Sequence, residues 1–590
     1  MPCVENWTLN PLHAIHNLFE NTREDQDWHR GVENYFADKL TSNLHMIPSL
    51  NEVSLHDIRS ASLVRFRCMV QDTFEPEYFL ETYQIVNKQN GHKTFGTSMY
   101  SDVIECPDGF EFVESLENKT GCRQVLYCVS VPAETSWVKE KFKPKQSACF
   151  QDASTSKNTK RPFEEDMEQD ESATSERNTT KRPKASAHSG VNISRTPLKK
   201  NHPLPNEDGP VCIIKVYDEN KDFKVNEIYE FIGVLSVDPA LSATYDSSTG
   251  DGIDEDHMEE DRAHHPPPSL VPRLHCISML KLNHINPLVS CDSSSALDIS
   301  NMAVNLRHDL ISFLKHATFG DELTAEYLLL HLAARVHNRT GTMAVGKLAL
   351  NIANIPPGSR YPNLLSQLIE QLVTKAYYLP MSLENMNKLK FIPKKNYSSN
   401  RLDAGLLQLS DGTHLIVDET ALKPGQLDTN GVKNVQALSA LVKFQKIDYD
   451  FQFHPVTFYH DVSTLVLSEG KSMLPCDCQV CLKPEIPIPT DLESYFKQLV
   501  VPLDLMNKFR IYLTCARLAD YELSDSMMKN IEDDFVAARR VDENKMSADD
   551  LHLRLVLARL CSTTSGQEKL AFDVWQRLER LENERKARIK

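Results

Sequence analysis

The sequence predicts an α/β multidomain protein with two β-rich regions, then an alternating helix–strand module, then a helical lid. Three observations predict this. Short apolar runs recur at strand length in two stretches of the first half, SLVRFRCMVQD, YFLETYQIV and QVLYCVSV (62–131), then VCIIKVY, EIYEFIGVLSVDP and RLHCISMLKL (211–282). From Asn305 onward, helical and strand patterns alternate, as in an α/β layered domain. The last hundred residues carry helical patterning throughout.

The chain opens with two short amphipathic helices, one carrying Leu12, Ile15, Leu18 and Phe19, the other Trp28, Val32, Tyr35, Phe36 and Leu40. With the strands after them they form a helical and β domain, 1–149. RFRCMVQDTFEP near Arg65 and EFIGVLSVDPAL near Glu230 both place an aromatic strand before an Asp and a Pro. Both read as early strands of an OB-type barrel, so the N-terminal and central β regions are expected to be OB-like. Residues 150–209 collapse into Ser, Thr, Asn, Lys, Glu and Pro and are expected to be a disordered linker. The linker carries two basic clusters, Lys160-Arg161 and Lys181-Arg182-Pro183-Lys184, that nuclear import receptors can read. A Thr-Pro pair, Thr196-Pro197, is a weak phosphorylation signal. The central domain spans 210–290, with an acidic insertion at 241–270.

The second half divides into a module at 291–490 and a lid at 491–590. Its expected elements are a helix over 323–336, a strand over 348–352, a helix over 364–375, the strand Leu415-Ile416-Val417 and a helix carrying Val435, Leu438, Leu441 and Val442. A hairpin at 447–458 and a strand at 463–467 come next. In the lid, Ser524 and Ser547 read as N-caps, and Ser547-Ala548-Asp549-Asp550 is an approximate capping box.

Composition narrows the function. The 590 residues are 41% hydrophobic and 25% charged, enough for packed cores in a soluble protein, and the net charge is −17. That balance opposes a large non-specific nucleic-acid footprint, which needs clustered Lys and Arg to displace phosphate counterions. No direct nucleic-acid contact is expected. The N-terminus has neither a basic stretch nor a long apolar run, and no segment reaches bilayer-spanning length, so no membrane association is expected. Fourteen cysteines without a disulfide-like framework fit reduced intracellular thiols.

The chemistry-bearing candidate is the strand ending in Asp418 and Glu419. In P-loop ATPases such a strand end supplies a Walker B Asp for Mg²⁺ and a Glu for the attacking water. The phosphate-binding half is missing. Ala353-Asn354-Ile355-Pro356-Pro357-Gly358-Ser359-Arg360 has two prolines in place of backbone donors, and no Lys-Ser/Thr pair opens the next helix. Gly470-Lys471-Ser472 spells only the end of a phosphate loop, and Pro475 soon interrupts any helix after it. Cys476, Cys478 and Cys481 form CxCxxC, which would bind Zn²⁺ only if a fourth ligand such as His460 approached; free thiols in a loop are expected. No cofactor, no metal and no catalytic residue are expected. The rival readings are a residual ATPase, resting on Asp418 and Glu419, and a single-stranded DNA-binding replication factor, resting on OB-like barrels with Phe66, Tyr78, Phe79, Tyr229 and Phe231.

LDAGLLQLSDGTHLIVDE resembles the segment leading into the Walker B acids of the minichromosome-maintenance (MCM) replicative helicases, so the C-terminal half resembles a degenerate AAA+-like α/β module with its helical lid. The departures are consistent. The hairpin segment Asp448 to Phe458 has no Lys or Arg, Ser468-Glu469-Gly470 replaces the sensor Asn, and Asp549 stands about where the lid would offer an arginine. Across nearly its whole length the chain is similar to the MCM-binding protein family, through NPLHAIHNLFE, PSLNEV, LVRFRCMVQDTFEPE, FKVNEIYEFIGVLSVDP, LVPRLH, LNHINPL, AEYLLLHL, ENMNKLKFIPKKNY and PGQLDTNGV. That resemblance implies a nuclear, non-enzymatic partner of MCM helicase subunits. It would support their supply and assembly and their release from chromatin late in S phase, with sister-chromatid cohesion depending on it.

Overall fold

A computed structural model describes residues 7–22, 28–104, 106–143, 200–238, 241, 255–289, 294–541 and 546–589. The basic clusters at Lys160, Arg161, Lys181, Arg182 and Lys184, and Thr196-Pro197, lie outside them.

Helices α1 (Pro11–Thr22) and α2 (Trp28–Asn43) precede strands β1 (Leu63–Asn87), β2 (Lys93–Thr97), β3 (Phe110–Val113) and β4 (Lys119–Ser130), with α3 (Ser136–Phe142) after them. Strands β5 (Val211–Val216), β6 (Ile228–Ser236) and β7 (Arg273–Lys281) come next, with α4 (Glu255–His264) between the last two. The two β regions expected as separate barrels share one sheet. β1 pairs with β4 and, over Leu63–Met69, with β6; β4 pairs with β5, β5 with β7 and β7 with β6. The ring of five strands therefore closes on itself. Neither region alone closes such a ring, and an open set would leave strand edges unpaired. Alternation along β1 sends Val64, Phe66, Cys68 and Val70 inward, where they meet Leu126, Cys128, Cys212, Ile214, Phe231, Leu274 and Cys276. The period-3.6 faces of α1 and α2, with Ile15, Phe19, Val32 and Phe36, cover Ile232, Val234 and Ile277 on the outside.

The runs 62–72 and 78–86, expected as two strands, form one strand of 25 residues. Register shifts between Val70 and Asp72, Phe74 and Glu77, and Leu80 and Thr82 absorb its bends, and Pro76 sits within the second of them. Pairing with β6 ends at Met69, pairing with β4 continues to Thr82, and the far end carries β2 and β3. The acidic insertion is partly helical, for α4 lies within it and stacks His264 on Phe74 with ring centroids 4.2 Å apart. Residues 200–209, assigned by composition to the linker, are docked. Leu204 is buried, Asn201 Nδ2 donates to Gln71 Oε1 (3.1 Å) and Leu402 O (2.8 Å), and Ala133 N donates to Glu207 (3.0 Å).

The second half begins with α5 (Ser294–Ala317), α6 (Glu322–Ala333), β8 (Asn338–Thr340) and β9 (Met343–Val345). Then come β10 (Leu350–Ala353), α7 (Tyr361–Leu372), β11 (Ala376–Pro380), α8 (Leu383–Lys388), β12 (Lys394–Asn396), β13 (Arg401–Asp403) and β14 (Thr413–Asp418). Next are α9 (Thr429–Phe444), β15 (Lys446–Asp450), β16 (Pro455–Tyr459), β17 (Val462–Leu467) and β18 (Cys478–Cys481). Strands β11-β14-β17-β10-β18, in that order, form an all-parallel sheet. Its strands read as continuous apolar runs because both faces are covered: Ile416, Leu465 and Leu467 face one core, and Leu415, Val417, Val462 and Val466 the other. The expected hairpin at 447–458 is the antiparallel pair β15–β16, at one end of a second sheet ordered β13-β12-β15-β16.

Two elements differ from expectation. The helix expected over 364–375 runs three residues earlier; Leu372 ends it, and the next segment pairs across to the barrel, where Ala376 N bonds Ala133 O (2.9 Å). The cysteine segment, expected as a loop, is the edge strand β18, because Cys478–Cys481 pairs with Leu350–Ala353.

Barrel and module interlock. Gln71 Nε2 donates to Leu402 O (2.8 Å), Gln408 Nε2 returns a bond to Gln71 O (2.8 Å), and Leu402 N donates to Asp72 Oδ2 (2.6 Å). Burial pushes the Asp72 carboxyl up to about 6, against the N–H donors of Leu402 and Thr73.

The final region is α10 (Leu492–Gln498), α11 (Leu503–Leu518), α12 (Asp525–Val541), α13 (Ala548–Thr564) and α14 (Phe572–Ile589). The expected capping box at Ser547 forms: Asp550 N donates to Ser547 Oγ (3.1 Å), and Ser547 N donates to Asp550 Oδ2 (3.1 Å). Ser547→Ala is expected to cost about 1 kcal/mol, read as a lower denaturation midpoint, and Ser547→Asp should restore most of it. An unchanged midpoint would show that packing alone holds the start of α13.

Candidate functional site

Asp418 ends β14 and is 5% exposed. Its carboxylate is fully engaged within the fold. Oδ1 accepts from Thr420 N (2.9 Å) and Thr420 Oγ1 (2.6 Å), capping a short 3₁₀ turn, and Oδ2 accepts from Tyr378 Oη on the neighbouring strand β11 (2.6 Å). Burial and the adjacent carboxylate push the Tyr378 phenol up, so it stays a donor. Glu419 points into the loop after β17, where Ser472 Oγ donates to its Oε1 (2.8 Å). Burial raises the Glu419 carboxyl, while Ser472 and the N–H groups of Met473 and Leu474 oppose the shift. The Ser472 of Gly470-Lys471-Ser472 is therefore spent on Glu419 and on Leu474 N (2.9 Å), and Lys471 is exposed.

The loop after β10 answers the phosphate question. A phosphate cradle needs several converging free backbone N–H groups. Here Asn354 N donates to Glu469 O (3.1 Å) and Ile355 N to Ser468 O (3.1 Å), tying the loop to the end of β17. Asn354 takes the left-handed conformation at φ 67°, and its Nδ2 reaches Leu482 O (2.8 Å). Helix α7 then opens with a proline in its first turn. The structure brings Asp418, Glu419, Ser472 and the 353–355 loop to one end of the parallel sheet, where each is bonded within the fold: Glu419 to Ser472, Asp418 to Tyr378 and Thr420, and the loop to Ser468 and Glu469.

The cysteines do not converge as ligands. Cys478 and Cys481 are three residues apart on β18, which places them on opposite faces of the strand. His460 is buried, with Nδ1 against Leu409 O (3.3 Å). Burial pushes the Cys476 thiol up to about 12, away from the thiolate a metal needs. Among the described residues no group of three or more His, Cys, Asp and Glu is placed to hold a metal ion. Asp549 is exposed in the first turn of α13. Among the described residues no helix is long and apolar enough to cross a membrane.

Surface features that sequence reading passed over lie on the β15–β16 hairpin. β16 is a terminal strand of its sheet. At the turn Phe453 is 83% exposed and meets Tyr397 with ring centroids 5.6 Å apart, while Tyr459 stands out at the far end of β16. Exposed aromatics beside an unpaired strand edge are what a protein-binding surface requires. The aromatics were visible in the sequence, but their exposure depends on which face of a two-residue period the sheet buries.

A family model described as Mini-chromosome maintenance replisome factor matches residues 36–589. Full-length relatives carry the name Mini-chromosome maintenance complex-binding protein. That of Gallus gallus is 42% identical over 623 residues, covering 100% of this chain and 98% of the relative. That of Homo sapiens is 40% identical over 634 residues with the same coverage, and that of Drosophila melanogaster is 35% identical over 581 residues, covering 93% of each.

Proposed function

The chain belongs to the mini-chromosome maintenance complex-binding protein family, and from that premise we propose that it is a non-enzymatic binding protein of MCM helicase subunits. In this reading it acts in the nucleus, supports assembly or supply of the subunits, and promotes their release from chromatin in late S phase. DNA replication and sister-chromatid cohesion then depend on it. The relatives' names support the partner, and the basic clusters of 160–184 support the compartment.

The observation that carries the non-enzymatic reading is the self-bonded end of the parallel sheet. Asp418 is consumed by Tyr378 and Thr420, Glu419 by Ser472, and the N–H groups after β10 by carbonyls of the adjoining loop. A Mg²⁺-nucleotide would have to displace all of these at once. A degenerate AAA+-like module of this kind presents a subunit-like surface without driving nucleotide-dependent motion. The exposed aromatics and strand edge of the β15–β16 hairpin supply contact surface for a protein partner, and the net charge of −17 favours protein over nucleic acid.

The test is affinity purification of the tagged full chain from nuclear extract beside its Asp418→Asn/Glu419→Gln form, which removes both charges while keeping one acceptor oxygen at each position. MCM subunits are expected to co-purify equally with both, and calorimetry with Mg-ATP to give no heat of binding. Failure of both forms to recover MCM subunits would overturn the partner, and loss in the double variant alone would place the carboxylates at the interface or in a nucleotide site. ATP binding lost in the double variant would overturn the non-enzymatic reading.

A further inference from the structure

The opposite end of the parallel sheet is built differently. The chain enters β11 at Lys375, β14 from Asp411 and Gly412, and β17 from Asp461, and helix α11 packs its last turns beside them. Between them lies a cavity of about 70 Å³ lined by Lys375, Arg517, His284, His414, Asp411 and Thr514, among others.

Its charged groups are unusual for an interior. Lys375 is 4% exposed; its Nζ donates to Ser410 Oγ (2.9 Å) and to the carbonyl oxygen of Asp411. Arg517 spans the site, with Nη1 to Ser463 Oγ (3.0 Å) and Nη2 to Asp461 Oδ2 (2.9 Å). Arg335 and Arg559 extend the cluster, and both interact electrostatically with Asp461 and Arg517. Four cations thus face the carboxylates of Asp411 and Asp461, with Glu134, itself ion-paired to Arg67, also acting on Lys375 and Asp520 outside on the exposed surface.

The donors are also in surplus. Among the described residues the Nδ1 of His414, which is 4% exposed, has no hydrogen-bond partner, and neither has the Nδ1 of His284 across the same cavity. Among the same residues Arg559, also 4% exposed, leaves Nε and Nη1 without acceptors, and Arg335 leaves its Nε. Buried donors without acceptors are costly, and an uncompensated buried guanidinium more so. A group carrying negative charge and several acceptor oxygens in the cavity meets His284 and His414, since an imidazole can donate from either nitrogen, and its charge offsets that of Arg335 and Arg559, which lie outside the lining.

We propose that this cavity is a binding site for a small oxyanion of the phosphate class, held directly by Lys375, Arg517, His284 and His414 within the field of Arg335 and Arg559. Size sets the class. A cavity of about 70 Å³ has room for a tetrahedral ion such as phosphate or sulfate. The site lies at the strand beginnings, whereas Asp418 and Glu419 stand at the strand ends, so it is independent of the nucleotide question.

The experiment is a thermal-shift and titration-calorimetry series on the full chain in inorganic phosphate, in sulfate, and in chloride at matched ionic strength. Phosphate and sulfate at about 100 times their Kd are expected to raise Tm by about 2 °C over chloride. Calorimetry is expected to give one ion per chain. Lys375→Met and Arg517→Met should each abolish the phosphate-specific shift, and Arg559→Met should weaken binding about tenfold while the chloride Tm is held or raised. If wild type shows the same Tm in phosphate and chloride and no heat of binding, the site is overturned whether or not the variants fold. A phosphate shift that survives in both Lys375→Met and Arg517→Met overturns it equally, because the ion would then bind elsewhere.

Discussion

Glu326→Ala is expected to destabilise the helical region by about 3–5 kcal/mol, the largest effect of any single substitution considered for this chain. Glu326 lies on α6 and is 4% exposed; Arg307 on α5, 6% exposed, is ion-paired to it. Arg307 Nε also reaches Thr564 Oγ1 on α13 (3.3 Å), and Arg577 on α14 adds a second guanidinium on Glu326 Oε1 (3.2 Å). The carboxylate therefore ties together three helices, and Arg307 joins α13 to them as a fourth. Burial opposes the charge on Arg307, and Glu326 beside it more than compensates, holding the guanidinium above its ordinary value. Removing Glu326 leaves Arg307 buried and unpaired, and that desolvation cost is not recovered by relaxation of packed helices. Replacing both partners, Glu326→Leu with Arg307→Met, should restore most of the loss, because two buried charges go together. Guanidinium unfolding of the three proteins measures it. A cost under about 1 kcal/mol for Glu326→Ala would mean that water reaches the pair.

Raising the pH from about 8 to about 10.5 is expected to stabilise the wild-type chain relative to Lys375→Met by on the order of 3 kcal/mol. Burial of the ammonium pushes Lys375 down to about 8, with Asp411 opposing the shift and Arg517 adding to it, while the unfolded chain keeps the ordinary lysine value near 10.5. Between these values the unfolded state binds more protons than the folded one, so folding stability rises with pH across that window and is flat on either side of it. Taking the difference against Lys375→Met removes the contributions of tyrosines and cysteines that titrate in the same range. Unfolding curves in phosphate-free buffer at pH 7.5, 9 and 10.5 supply the measurement. A difference independent of pH would show that the ammonium is solvated in the folded state.

Much of the second half was legible in the sequence because its signals are local. The apolar run Leu415-Ile416-Val417 can only be a strand covered on both faces, and the patterns behind α6, α9 and β17 repeat over enough residues to define themselves. The capping box at Ser547 is a four-residue code and was readable as such. The absence of a Lys-Ser/Thr pair after β10 was equally plain. The replacement for the phosphate cradle was not, since the bonds from Asn354 and Ile355 to Ser468 and Glu469 join residues more than a hundred positions apart.

The sequence by itself determined the family, the types of the longer, strongly patterned elements, the acidic strand end at Asp418 and Glu419, and the lack of a phosphate-binding loop. These rest on composition, periodicity and short motifs, which a chain carries before it folds. Only the tertiary structure decided that β1, β4, β5, β6 and β7 close one ring, that Lys200 to Gly209 dock against barrel and module, and that CxCxxC lies on an edge strand. It alone placed Lys375, Arg517, His414 and Arg559 at one end of a sheet. Strand partners and buried charge clusters are pairings between distant residues. Each side chain shows its own chemistry in the sequence, and its neighbours exist only once sheet edges are paired and burial has set which charges must face each other.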